Sequence, residues 1–302
     1  MRRGRNALVL AALLATVAVS SFLFASHSSR HFLGRRIAPH LSHTSQGHGR
    51  WAYVFLDLGP EFACPLLVQL AALSSTLPDP SIEVVVMTHA ASLAVPAGVR
   101  TILVPAASTV GMHQWRTSYD KLFFSTLVQY DRVVFIELDN LVLGNLDHLF
   151  TFTPFKTTIA VPRAYWLPQP FVQTGPVVGD PSAFALDRHF APVLFGDQKQ
   201  MHAGDNDFVN QEFGNTVTLL HGFYALLVGE WIRGDGIFGY WGRELNMTAA
   251  EVFAAARLVH FVAPQNKPWK TTREALRQRH PDSPAELYAA YERWFGLQDR
   301  VC

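Results

Sequence analysis

Two carboxylates stand where a hydrophobic run ends. The segment Arg132–Ile136 (RVVFI) leads directly into Glu137, Leu138 and Asp139. On an extended chain, residues two apart project to the same side, so Glu137 and Asp139 share one face. Apolar flanks at residues 133–136 and 141–143 hold the segment in the interior. Clustered negative charge there needs compensation. A divalent cation with oxygen ligands, Mn²⁺ or Mg²⁺, is the natural partner. Such a cation would neutralise a bound diphosphate and stabilise it as a leaving group. The plainer alternative is a surface turn with two solvated acids, and an acid-x-acid triplet alone does not decide. His260, in the strand-like residues 257–262 (RLVHFV), is open in the same way, as a ligand or as a satisfied core histidine. Asp205 opens a helical stretch, Asp205–Phe213, where a carboxylate can bind a ligand or cap the helix.

These side chains need a scaffold, and the sequence predicts one. Short apolar runs at residues 51–58 (WAYVFLDL), 82–87 (IEVVVM), 99–104 and 132–136 read as strands. Helical stretches at 64–77 and 119–128 lie among them. Runs of this kind between turn signals suit a parallel sheet covered on both faces, an α/β fold with crossover connections. The second half is less regular, with short strands at 158–161 and 175–178 and Pro-rich connections. A charged amphipathic helix follows at 283–295. No internal repeat or long linker appears, so residues 51–302 read as one domain.

Composition narrows the class. Lys+Arg 25 against Asp+Glu 24 gives a net charge of +1, which argues against a nucleic-acid binder. At 49% hydrophobic and 16% charged residues, the chain is not disordered. Two cysteines, Cys64 and Cys302, exclude a cysteine-built zinc site. They make one disulfide pinning the C-terminus in an oxidising lumen, or two free thiols in the cytosol. The chain lacks the Gly-x-Gly-x-x-Gly, Walker, Gly-x-Ser-x-Gly and His-Glu-x-x-His patterns. Spaced glycines at 234–239 (GDGIFG) read as a loop near an acceptor.

Residues 7–25 carry no charge and approach the ~20 apolar residues that span a bilayer. Arg2, Arg3 and Arg5 precede them and favour a cytoplasmic N-terminus. A signal anchor is the preferred reading, ahead of a cleaved signal peptide and a core helix. Residues 1–6 would be a cytoplasmic tail and 26–50, rich in Ser, His, Gly and Arg, a solvated stem. The sequon at Asn246, Met247 and Thr248 is compatible with a lumenal domain.

Around the acidic pair the chain resembles glycosyltransferase family 8, the glycogenin-like group of retaining enzymes with a GT-A fold. Lys121-Leu122 and Tyr130-Asp131-Arg132 resemble that family's lead-in to its metal strand. Residues 145–150 (NLDHLF), Pro181-Ser182 and residues 205–210 (DNDFVN) are similar to its later motifs. His260-Phe261, then Lys267-Pro268-Trp269, resemble its His-Phe…Lys-Pro-Trp signature. The matches run in the family's order over residues 51–302. A finer likeness, to fungal N-acetylglucosaminyltransferase-like members, rests on 162–167 (PRAYWL), 224–230 (YALLVGE) and 299–302 (DRVC).

The resemblance implies roles. Glu137, Asp139 and His260 would hold Mn²⁺, with Mg²⁺ as the substitute. Lys121 and Lys267 would contact the diphosphate or sugar hydroxyls. Leu56 and Phe62 would meet the uridine, with Leu138, Gln173 and Gly175 also at the donor. Asp205 would bind the donor sugar, and Asn206 would lie at its reacting face. The implied activity is Mn²⁺-dependent transfer of a sugar, GlcNAc or glucose, from a UDP-sugar to a glycan or glycoprotein, with retention. The implied location is the Golgi membrane, in type II orientation.

The chain also departs from the family. Glu137 replaces the usual Asp, and its extra methylene moves the carboxylate by on the order of 1 Å, against a site tolerance of ~0.5 Å. Gln173-Thr174-Gly175 stands for Asn-Ser/Ala-Gly, and Asp57-Leu58-Gly59 replaces the usual Thr and Asn. These departures motivate a second reading, a relative that binds nucleotide-sugar or glycan as the partner of another transferase. A nucleotide-sugar hydrolase or a self-glycosylating primer is a third.

Overall fold

The computed structural model describes residues 49–91, 93–105, 118–151, 159–167, 171–183, 204–214, 216–232, 241–242 and 245–302. The apolar 7–25 segment, the stem to residue 48 and the 234–239 glycine loop lie outside them. Among the described residues, no helix is long and apolar enough to cross a membrane.

Four strands form the parallel half of a sheet: β1 (Trp51–Leu56), β2 (Glu83–Thr88), β3 (Val99–Leu103) and β4 (Arg132–Ile136). Beyond β4 the pairing is mixed. β5 (Asn140–Val142) leaves for a second sheet, while β6 (Ile159–Pro162), β7 (Pro176–Gly179) and β8 (Thr218–Leu220) complete the first, with β7 antiparallel to both β4 and β6 and β8 parallel to β6. The main sheet runs β3-β2-β1-β4-β7-β6-β8. The small sheet runs β5-β10-β9, with β9 at Leu226–Leu227 and β10 at Leu258–His260. The expected α/β scaffold is present, with a mixed rather than wholly parallel sheet.

Both faces of the main sheet are covered, for a reason visible in the strands. Tyr53 and Phe55 of β1 and Val134 and Ile136 of β4 join one buried cluster. The alternate residues Ala52, Val54, Leu56, Val133 and Phe135 join a second. The period of two sends successive apolar side chains to opposite layers. The first layer includes helices α1 (Ala63–Ser74) and α5 (Ala285–Val301). The second includes the 3₁₀ segment Asp120–Thr126 and helix α2 (Asp205–Phe213). Helices α3 (Ala249–Ala255) and α4 (Arg273–Arg279) complete the described set of seven residues or more.

Two elements differ from the sequence reading. Helix α1 ends at Ser74 because the hydroxyls of Ser75 and Thr76 donate to the carbonyls of Ala72 and Leu73, and Leu77 takes φ 52°. The 119–128 segment forms a 3₁₀ helix over Asp120–Thr126, with Ser125 and Thr126 hydroxyls donating three residues back to Leu122 and Phe123. Cys302 follows α5 and bonds to Cys64 in the first turn of α1, with Cα atoms 5.7 Å apart. Of the two cysteine readings, the structure adopts the disulfide.

Candidate active site

The end of β4 is where the chain changes sheets, and that switch places the acids. Glu137 N–H donates to Gly175 O at 3.2 Å, extending the contact with the β7 side by one residue. A turn closed by Asn140 N–H to Glu137 O, 3.1 Å, then feeds β5. β10 pairs antiparallel with β5, His260 opposite Asn140, and Phe261 N–H donates to Asp139 O at 2.8 Å. His260 is thereby set beside an acid 121 positions away, its Nε2 3.3 Å from Asp139 Oδ2. Gly175 has a packing role: a Cβ there would lie 3.2 Å from the side chain of buried Asn140.

Glu137, Asp139 and His260 each offer a ligand atom within 4.8 Å of the others. Both carboxylates are ion-paired, Glu137 Oε1 with Lys121 Nζ and Asp139 Oδ2 with Lys267 Nζ. Lys121 Nζ also lies 2.6 Å from Asp205 Oδ2 and 3.2 Å from Thr174 Oγ1. Behind it, Asn206 Oδ1 accepts from Thr174 N–H at 2.8 Å.

The two acids at the end of β4 have opposite electrostatics. Burial pushes the Glu137 carboxyl up to about 7, against the pull of Lys121. Burial also disfavours ionised Asp139, but His260 and Lys267 outweigh it and hold that carboxyl well below the usual range. Burial opposes the Lys121 charge, yet Asp205 and Glu137 prevail and hold its ammonium above the ordinary lysine value. Paired acids pushed apart in this way are typical of functional clefts.

A cavity of about 230 Å³ opens beside the cluster. Its lining combines charged side chains, Lys121, Glu137, Asp139 and Lys267, with apolar ones, Leu56, Leu58, Phe62 and Trp269. Phe62 meets Trp269 edge-on at 6.1 Å. This combination matches a ligand with an aromatic base and an anionic tail. The donor set suits a hard divalent cation. His260 Nδ1 is buried with no hydrogen-bond partner, an unsatisfied atom of the kind that an ion or water accounts for.

Leu56, Phe62, Lys121, Glu137, Leu138, Asp139 and Lys267 all line this cavity. His260 joins through Asp139, and Asp205 through Lys121. Asp205 is the first residue of α2 and Gly204 the cap, so its carboxylate is turned to Lys121 and not to the helix end. Gln173 points elsewhere, its Nε2 donating to Ala225 O at 3.0 Å. Sequence reading did not single out Ser118, Phe135 or Thr174 as site residues, nor Gln69, whose Nε2 supports Leu138 O at 3.1 Å. Nothing in their local patterns marks them. Leu58 and Trp269 stood within motifs already noted.

Sheet order and site placement define a glycosyltransferase fold of the GT-A type. The chain superimposes on a galactosyltransferase, LgtC, in complex with donor and acceptor sugar analogs, at TM-score 0.60 and 15% identity, over 83% of this chain and 96% of that one. It also matches WbbM, a bifunctional glycosyltransferase, at TM-score 0.55 and 17% identity, over 84% of this chain and 53% of that one. Among curated proteins it is 31% identical over 209 residues to glucose N-acetyltransferase 1 of Gibberella zeae and 32% identical over 173 residues to that of Aspergillus fumigatus. These alignments cover 62% and 54% of this chain and 44% of each relative, so the chain matches less than half of their length. No family profile matches the chain. The resemblance read from the motifs, including its fungal leaning, is borne out by these likenesses.

Proposed function

We propose that this chain is a retaining glycosyltransferase that uses a UDP-sugar and a divalent cation, Mn²⁺ or Mg²⁺. The observation that carries the reading is the meeting of Glu137, Asp139 and His260 with Lys121 and Lys267 beside a cavity that is also lined by Leu56, Phe62 and Trp269. Glu137, Asp139 and His260 would hold the cation, which supplies charge neutralisation of the leaving diphosphate when bound. Phe62 and Trp269 would enclose the base, and Lys267 would bind the diphosphate oxygens. Asp205 would receive a sugar hydroxyl. Asn206, with its amide oxygen held by Thr174, is a poor nucleophile, which favours a front-face displacement led by the leaving group. Gly175 would shape the donor side from behind, through its contacts with Glu137 and Asn140.

The transferred sugar in this reading is GlcNAc or glucose and the acceptor a glycan or glycoprotein, and the name of the fungal relatives, which mentions glucose and an N-acetyl group, is compatible with that choice. We also propose that residues 7–25 anchor the chain in the Golgi membrane in type II orientation, with 26–50 as stem and 51–302 as the lumenal domain. The disulfide supports that compartment, because such bonds persist in oxidising lumens.

The test is UDP release by the full chain offered UDP-GlcNAc, UDP-glucose and UDP-galactose, with and without Mn²⁺, beside Asp139→Ala. Release that needs both metal and Asp139 supports the reading and names the sugar. Folded protein that releases nothing, with or without candidate glycan acceptors, yet binds UDP, overturns it in favour of a binding partner.

A further inference from the structure

Each metal-strand carboxylate in this site is paired with a lysine, and the two lysines are not equivalent. Lys121 is 4% exposed, and its ammonium meets acceptors on Glu137, Thr174 and Asp205. An ammonium has three donors, so all are engaged and Lys121 is fixed. Lys267 is the reverse. It lies between two 3₁₀ turns, Pro264–Asn266 and Pro268–Lys270, outside any strand. Among the described residues, Asp139 Oδ2 is its hydrogen-bond acceptor, and the Trp269 ring lies 5.9 Å from Nζ. Its flexible four-carbon stem reaches into the cavity.

We propose that Lys267 is a displaceable internal cation: it neutralises Asp139 in the metal-free site and moves to the diphosphate when a divalent cation takes its place. This rests on the donor-site reading above. Three carboxylates, Glu137, Asp139 and Asp205, face the ammonium groups of Lys121 and Lys267. These five groups carry one net negative charge, so a divalent ion leaves one net positive charge that needs a partner. Lys267 must give up the oxygen that the ion needs, and like charges repel strongly at low dielectric. A nucleoside diphosphate supplies the oxygens that receive the displaced ammonium. Metal and nucleotide are then linked through Lys267, and the linkage is reciprocal.

The test is calorimetric titration of MnCl₂ into the full chain, with and without saturating UDP, for wild type, Lys267→Met, Lys267→Gln and Asp139→Asn. In wild type, UDP tightens Mn²⁺ binding by about 10-fold, within the usual range of coupling between sites. Removing the competing charge in Lys267→Met and Lys267→Gln tightens Mn²⁺ alone by at least ~3-fold and cuts the gain from UDP to under ~2-fold. Lys267→Gln keeps a donor for Asp139 and serves if Lys267→Met does not fold. Variants that bind Mn²⁺ alone no better than wild type, or keep the full gain from UDP, overturn the inference while Asp139-dependent binding preserves the metal site. Mn²⁺ that binds Asp139→Asn as tightly as wild type overturns the metal site itself, and the inference with it.

Discussion

Lys121 and Asp205 stand 84 positions apart, yet the buried ammonium of one donates to the carboxylate of the other at 2.6 Å. The same ammonium pairs with Glu137 at the end of β4. The 3₁₀ segment, the end of β4 and the start of α2 are thus joined by one ammonium group. The Glu137 carboxylate serves both Lys121 and the cavity.

Removal of that cation is predicted to strand two acids in the interior. Breaking a buried pair by deleting one partner costs about 3–5 kcal/mol. Lys121→Met should lose that much stability in urea unfolding. Adding Asp205→Asn should restore part of it, because the second change removes one of the orphaned charges. Additive losses in the double variant would show that the residues do not share a network. Glu137→Asp should also weaken the contact with Lys121 by shortening the acid.

The disulfide has a measurable structural role. It closes a span of 238 positions and ties α5 to the first turn of α1. Loss of a native disulfide of this kind costs about 2–5 kcal/mol. Cys302→Ser should show that loss in urea, and dithiothreitol should bring wild type to the level of the variant. Wild type unmoved by the reductant would mean that the bond adds nothing to stability.

A buried hydroxyl gives a pH dependence. Tyr53 donates to Asp147 Oδ1 at 2.6 Å, and burial, with Asp147 next, raises its hydroxyl far above the ordinary tyrosine value of 10.0. A group raised in the fold contributes stability that is complete below its unfolded value and is lost as pH rises beyond it. Tyr53→Phe should cost about 1–3 kcal/mol at neutral pH, through the donor lost by Asp147. Above pH ~10 it should flatten the fall in stability by about 1.4 kcal/mol per pH unit, one proton's worth. Equal alkaline slopes in the two proteins would remove Tyr53 as a source of that dependence.

The parallel half of the sheet and the acidic strand were legible in the local pattern of residues. Short apolar runs specify strands locally, and β4 was read to its observed ends, Arg132–Ile136. Glu137 and Asp139 were legible because a charge directly after a buried strand contradicts its surroundings. Asp205, His260 and Lys267 were legible only through motif order, since none has a local pattern that separates a ligand from a capping, core or surface residue.

How those residues meet depends on long-range packing. The switch of the chain from β4 into β5, paired with β10, brings His260 to Asp139. Thr174 and Gln69 entered the site by spatial packing, through side chains that sequence spacing leaves undetermined. The pairing of Cys64 with Cys302 was one of two readings until α5 was laid against α1. In each case the deciding contact joins residues tens to hundreds of positions apart. Local propensity carries no information about such pairs, because their energy arises only when the sheet order and the packing of its two layers are complete.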